Sequence, residues 1–513
     1  MSTSSRLLVV ASLFMIAFVS FKTSDDLAVV KTDAGLVSGT VSGDIHIFKG
    51  IPFAAPPVGD LRWKAPQPAA HWSGVKACDK FSASPMQASP APFSMWTEEF
   101  LIPKEPISED CLYLNVWTGA KSSREKRAVM VWIYGGGFQS GGSACPIYDG
   151  EAMAKKGIVF VSINYRVGVF GFFAHPELTK ESGHNASGNY GIMDQIAALK
   201  WVNKNIAAFG GDPNNVTIAG QSAGSMSVNC LVASPLAKGL FQKAIAESGA
   251  SFTNNNADLQ NAEEDGTRIM KSLNALSIAD LRKMPAEDLM KKAQGFRGVV
   301  IDGYILPDAI VNIFNQGKEN KVALLTGWNQ DEGLMFGPPK KAEDFKKDAE
   351  KNYGADAQTF LQYYPANTDE EAQVSQLNLS RDQIFGAQNY AWANIASSQG
   401  SKVYVYRFTR KVPATGEYVK YGAFHTGEVP YAYDNLKFVN RPWEQIDHEL
   451  ANIMSSYWAN FIKTGDPNGK GLPVWDGYRV TDKKIMALGV KPGSETIPDA
   501  ASLDFLYKKM SGK

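Results

Sequence analysis

Val216-Thr-Ile-Ala-Gly220-Gln221-Ser222-Ala223-Gly224 is the stretch on which the reading of this chain turns. Val216 to Ala219 is a short apolar, β-branched run of the kind that forms a strand buried on both faces. A serine flanked by glycines follows at once, and a helical pattern comes after it. A strand that turns directly into a helix forces the residue at the joint into a conformation that Cβ-bearing neighbours obstruct. Glycine two positions before and two after, Gly220 and Gly224, relieves that obstruction. The joint holds up one hydroxyl, that of Ser222. A serine hydroxyl is a weak nucleophile at neutral pH, so this placement calls for a base and for donors that stabilise an oxyanion.

The flanking sequence supplies the scaffold. Val129-Met-Val-Trp-Ile-Tyr134 and Ile158-Val-Phe-Val-Ser-Ile163 are continuous apolar runs of strand length. Gly191 to Phe209 repeats Ile192, Ile196, Leu199, Val202 and Ile206 at helical spacing and stops at Gly210-Gly211. Lys243–Glu247, Val322–Leu325 and Lys402–Tyr406 are further strand candidates. Strands alternating with helices predict an α/β protein, with a mostly parallel central sheet flanked by helices. No repeat or low-complexity linker divides the chain, so residues 27–513 read as a single catalytic domain. The charged, more helical region around 330–400 reads as a cap or side subdomain.

Tyr134-Gly135-Gly136-Gly137-Phe138 follows the first of these strands. Three glycines let the backbone turn its amides inward, so Gly136, Gly137 and Ala223 are the expected oxyanion-hole donors. With the order nucleophile, acid, histidine that this type of elbow carries, the base must come after Ser222. Of six histidines only His425 and His448 do. His448 shares the polar face of an amphipathic helix (443–458) with Glu444 and Gln445 and reads as a solvated surface residue. His425 lies in a glycine-punctuated loop after a strand, where a base can reach a sheet-edge nucleophile. The acid that orients it is either Glu332 or its neighbour Asp331, just after the Val322–Leu325 strand.

Composition limits the partners. Lys and Arg together balance Asp and Glu, 52 against 52, and no Lys/Arg block is present. Nucleic acid and anionic membranes are therefore not expected partners; small neutral or mixed-charge molecules are. Arg6, the apolar stretch Leu7 to Phe21 and the polar exit from Lys22 describe a secretory signal peptide over about residues 1–22, with the cut between 19 and 25. The apolar stretch is shorter than the roughly 20 residues of a membrane span, so the mature protein is expected to be exported, secreted or periplasmic, with no stable anchor. Cys78, Cys111, Cys145 and Cys230 lack the paired spacing of a zinc site. Cys230, on the helix after Ser222, reads as a small buried apolar residue. No metal and no organic cofactor is called for.

These motifs stand among further landmarks: Phe48–Pro57, Ser108-Glu-Asp-Cys-Leu-Tyr-Leu-Asn115, Asn164-Tyr-Arg166, Phe209-Gly-Gly-Asp-Pro213, Asp302–Pro307, Asn329-Gln-Asp-Glu-Gly333 and Trp458–Pro467. With them the chain, from about residue 30 onward, resembles the type-B carboxylesterases, cholinesterase-like enzymes of α/β-hydrolase fold. The resemblance implies ester hydrolysis by a Ser-His-Glu triad with Glu332 as the acid. It also implies scaffold ion pairs Arg62–Glu109 and Arg166–Asp212, and a Cys78–Cys111 disulfide. Two positions depart from the family pattern. Gln221 stands where a glutamate usually precedes the nucleophile, which disfavours choline esters and favours small to medium, largely uncharged ones. Ser84-Pro-Met-Gln87 stands where a cysteine is common. Phe81, Phe93, Trp96, Phe100 and Trp328 could line an acyl or alcohol pocket or serve as packing. The same triad would serve amide, lactone or thioester cleavage. A relative that lost catalysis for adhesion would have lost Ser222, and an aspartate-nucleophile hydrolase would not carry serine at the elbow.

Overall fold

The computed structural model describes residues 27–511 apart from 253–256, 294–297 and 336. The expected signal peptide lies outside the described residues. An eleven-stranded sheet forms the centre. In chain order its strands are β1 (Thr40–Ser42), β2 (Ile45–Pro52), β3 (Tyr113–Thr118), β4 (Arg127–Ile133), β5 (Val159–Ile163), β6 (Gly211–Gln221), β7 (Lys243–Glu247), β8 (Ala323–Asn329), β9 (Val403–Phe408), β10 (Lys484–Leu488) and β11 (Gly493–Thr496). Across the sheet they run β11-β10-β9-β8-β7-β6-β4-β5-β3-β2-β1. Every pairing from β5 through β4, β6, β7, β8 and β9 to β10 is parallel. The margins are antiparallel.

The central strands are the apolar runs of the sequence. From Ala128 to Ile133, from Val159 to Ile163 and from Val403 to Phe408 every residue is buried, as strands covered on both faces require. Each large side chain taken out of water there contributes about 1.5–3 kcal/mol. β6 is longer than its apolar core suggests: polar Gly211 to Asn215 continue the strand, with an irregular register before Val216. Tyr190–Asn205 (α1) is the helix predicted over 191–209, its last turn tightened into a 3-10 segment at Ile206–Phe209. Ala223–Ala233 (α2) starts directly after Ser222 and packs on β6 and β7. Helices follow one another through the charged region: Ala342–Tyr353 (α3), Ala357–Tyr363 (α4), Asp369–Arg381 (α5) and Ala387–Ser398 (α6). α6 lies against β8 and β9, while Gln445–Thr464 (α7) packs on β4 and β6. His448 on α7 is exposed, as expected.

Two expectations are corrected. No disulfide joins Cys78 to Cys111; all four cysteines are free, buried thiols. Cys78 Sγ sits against the Gly50 carbonyl, whereas Cys111 faces a small void that it shares with Met86 and Arg166. Met86, in the segment where the family cysteine is common, occupies the ground beside Cys111. Burial pushes the Cys78 thiol up to about 11, so it stays protonated. Arg166 pairs with Asp194 of α1, not with Asp212: Nη2 and Nε reach its two oxygens at 2.7 and 2.8 Å. Asp212 turns back instead to accept the Asn214 amide. The Arg62–Glu109 pair forms as expected, bidentate at 2.7 and 2.6 Å, and Arg62 also donates to the Leu281 and Met284 carbonyls.

Candidate active site

β6 ends at Gln221 and α2 begins at Ala223, so Ser222 alone makes the turn, with φ 58° and ψ −125°. That is a left-handed conformation a side-chain-bearing residue rarely adopts. Two features hold it. The Ser222 amide donates to the Glu247 carbonyl of β7 at 2.9 Å. The glycines let the chain close on itself: a Cβ on Gly224 would lie 2.0 Å from the Ile133 carbonyl oxygen, and one on Gly220 would lie 2.5 Å from the Gly224 backbone. The sequence logic of the elbow is thus a matter of backbone-to-backbone contact.

The triple-glycine loop leaves β4 beside this turn. Its root is clamped by the Tyr134–Tyr165 stack, with ring centroids 4.4 Å apart. The two hydroxyls are crossed, Tyr134 Oη donating to the Tyr165 carbonyl and Tyr165 Oη to the Tyr134 carbonyl. Gly136 takes φ 113°, and a Cβ there would meet the Ser140 carbonyl at 2.3 Å. Ala223 is the first residue of α2, so its amide is among those a helix leaves without an internal acceptor, at the positive end of the helix dipole. The root of the loop lies against the elbow: a Cβ on Gly135 would fall 3.0 Å from Ser222 Cβ.

His425 and Glu332 meet. His425 Nδ1 lies 2.8 Å from Glu332 Oε2, and Glu332 Oε1 accepts the Asn329 amide at 2.8 Å. Both side chains are buried, 3% and 0% exposed. Asp331, the competitor, points to solvent and accepts the Ala423 amide, so it braces the histidine loop without touching the ring. With Nδ1–H held by a carboxylate, the second ring nitrogen is left as an acceptor. Ser222 Oγ forms no hydrogen bond to that nitrogen among the described residues. The Gln221 amide lies against it at 3.2 Å. Catalytic contacts of this kind commonly tighten only once substrate is bound.

Sequence reasoning missed Phe385, which stacks on His425 with centroids 4.3 Å apart and planes 17° from parallel. It sits in the wide turn Asp382–Gly386, where the helix carries one extra residue per turn, a feature that often marks functional sites. Among the aromatic residues considered as pocket lining, Trp96 stands edge-on to His425 at 6.2 Å and Phe93 packs on Trp96 at 4.8 Å. Phe100 packs on Phe424, next to the histidine. Phe81 packs on Trp117. Trp328 is fully buried beneath Arg407 and belongs to the core.

Behind the triad lies a second group of carboxyls. Glu247 accepts from Tyr433 Oη and Trp458 Nε1, both at 2.7 Å, and Glu428 accepts from Asn329. Burial pushes Glu247 up to about 7 and holds Glu428 well above the usual carboxylate range, with Glu247 and Glu332 nearby adding to the rise. Each proton that Glu247 or Glu428 holds removes one charge from this buried group.

Known proteins resemble this chain in sequence and in fold. A model described as the carboxylesterase family matches residues 26–506. The chain is 35% identical to fumonisin B1 esterase of Sphingopyxis macrogoltabida, over 93% of this chain and 89% of that protein. It is also 35% identical to para-nitrobenzyl esterase of Bacillus subtilis strain 168, over 93% and 98%. The solved structure of a PNB esterase superposes with a TM-score of 0.82 at 32% identity, covering 93% of this chain and 99% of that one.

Proposed function

Because the chain belongs to the carboxylesterase family, whose members are serine hydrolases of α/β-hydrolase fold, we propose that Ser222, His425 and Glu332 carry its ester hydrolysis. The observation that supports this most directly is the buried Glu332–His425 hydrogen bond, in contact with Gln221, the residue next to Ser222. In this reading the Ser222 hydroxyl gives its proton to His425 Nε2 as Oγ bonds to the ester carbonyl carbon. The carbonyl oxygen takes up the electron pair as an oxyanion facing the amides of Gly136, Gly137 and Ala223. His425 then protonates the departing alkoxide, leaving an acyl-serine. Water, deprotonated by the same imidazole, attacks that acyl group, and the acid and free Ser222 result. Removing one oxyanion donor typically costs 10² to 10³ in kcat. The chemistry is complete with these side chains and water.

The substrates in this reading are small to medium, largely uncharged esters. Gln221 puts a neutral amide where a carboxylate would attract a cationic alcohol, and Phe385 and Trp96 place aromatic surface beside the imidazole, with Phe93 packed on Trp96. A panel of p-nitrophenyl esters of rising acyl length, set beside a choline ester and a matched anilide, tests this. Higher kcat/KM on short neutral esters is expected. Preference for the choline ester or the anilide would overturn it. The Arg6 to Lys22 pattern supports export to the periplasm or medium, with the signal peptide removed near residues 19–25; N-terminal sequencing of the mature protein reads this out directly.

A further inference from the structure

Gln221 does more than replace a charge. Its side chain is 2% exposed, with Nε2 at 3.2 Å from His425 Nε2 and 3.4 Å from Nδ1. At its other end, Gln221 Oε1 accepts from Thr426 Oγ1 at 3.4 Å. Thr426 Oγ1 in turn accepts the indole N–H of Trp96 at 3.1 Å. A chain of neutral hydrogen bonds therefore runs from Trp96, in the loop between β2 and β3, to the imidazole. Thr426 holds its place in that chain at φ 79°, a conformation that β-branched residues almost never take. Local strain of this sort persists where surrounding contacts over-determine it, and it clusters at functional sites.

We propose that Gln221 and Thr426 are positioning residues, which together with Trp96 give His425 a second, uncharged hold. Glu332 grips one ring nitrogen, and a single hydrogen bond leaves the ring free to rock about that contact. Phe385 restrains a face of the ring, and the Gln221 amide restrains the edge that carries the base nitrogen. Lying almost equally far from both ring nitrogens, the neutral amide holds that edge of the ring without claiming the Nε2 lone pair that takes the Ser222 proton. The placement of the base thereby depends on the Trp96 loop, more than 300 residues away along the chain.

This proposal rests on His425 being the base, and the test separates the two. Thr426→Val keeps the β-branched shape and removes the hydroxyl; Trp96→Phe keeps an aromatic ring and removes the N–H. Each is expected to lower kcat on p-nitrophenyl butyrate about tenfold while KM changes by less than about threefold. Because both variants break the same chain, the double variant should be no slower than the slower single one. Thr426→Ser should recover kcat to within about twofold of wild type. Melting temperatures of all variants establish that they fold. Should Thr426→Val fail to fold, Trp96→Phe decides alone. A kcat unchanged in the folded variants, losses that multiply in the double variant, or a Thr426→Ser as slow as Thr426→Val would overturn the proposal. A His425→Ala control that kept wild-type turnover would overturn the base assignment itself, and the proposal with it.

Discussion

His425 Nδ1 and Glu332 Oε2 lie 2.8 Å apart, with both side chains out of water. A hydrogen bond in so dry a place fixes the tautomer and leaves Nε2, beside the Gln221 amide, as the acceptor. Glu332→Gln keeps the shape and the buried hydrogen bond to the Asn329 amide but removes the charge that stabilises the imidazolium. We expect kcat on short p-nitrophenyl esters to fall by about 10² to 10⁴ with the melting temperature little changed. Steady-state kinetics beside a thermal melt checks this; a loss under about threefold would remove Glu332 from the mechanism.

Gln221→Glu places a carboxylate against the base nitrogen, at the position now 3.2 Å away. A negative charge at that range favours the protonated imidazole. The acidic limb of the kcat/KM profile should therefore move to higher pH by about one unit, and esters of cationic alcohols should gain relative to neutral ones. A pH series on one neutral and one cationic ester measures both effects. An acidic limb that stays in place would show that the amide and imidazole are not in contact in solution.

Glu247 links the site to stability. Its value is raised by burial from the ordinary 4.5 to about 7, so the native state holds a proton that the unfolded chain releases across that window. Stability is consequently highest below the unfolded value and declines as pH rises toward 7 and beyond. Glu247→Gln, which can keep the bonds from Tyr433 and Trp458, should abolish this part of the decline. At pH 8 it should exceed wild type by an amount on the order of 1–3 kcal/mol. Denaturant melts of both proteins at pH 5 and pH 8 give the comparison, and parallel behaviour at the two pH values would contradict it.

Much of this was legible in the sequence because the chemistry depends on local pattern. Gly220 and Gly224 announce a backbone contact that no side chain tolerates, and the apolar runs of β4, β5 and β9 announce burial on both faces. Where several groups of one type compete, pattern is silent. Asp194 and Asp212 are equally acidic, and only the packing of α1 decides which one meets Arg166. The missing disulfide has the same origin: cysteine count permits a bridge, but Cys78 Sγ lies against the Gly50 carbonyl and Cys111 beside Met86. Phe385 and Trp96 reach His425, and Thr426 reaches Gln221, across long stretches of chain, in contacts that carry no signature at either end. The polar half of β6 escaped because periodicity registers side chains, and backbone pairing continues without them.

Gly224→Ala tests the elbow as a matter of space. The added Cβ would fall 2.0 Å from the Ile133 carbonyl oxygen, a backbone atom of a central strand with no freedom to move aside. Separation of β4 from α2 is expected to cost about 1–3 kcal/mol and to displace the oxyanion donors together with Ser222. Turnover should fall far more than the melting temperature suggests. A variant as active as wild type would mean that the turn has another geometry.

Ser222 as the nucleophile is the centre of the mechanism, and a fluorophosphonate probe followed by peptide mass spectrometry tests it. One phosphonyl adduct is expected, on the peptide that contains Ser222, formed in step with complete loss of p-nitrophenyl ester turnover and absent from Ser222→Ala, which should itself be slower by several orders of magnitude. An adduct on a different residue, or a Ser222→Ala protein that still hydrolyses the ester at the wild-type rate, would contradict it.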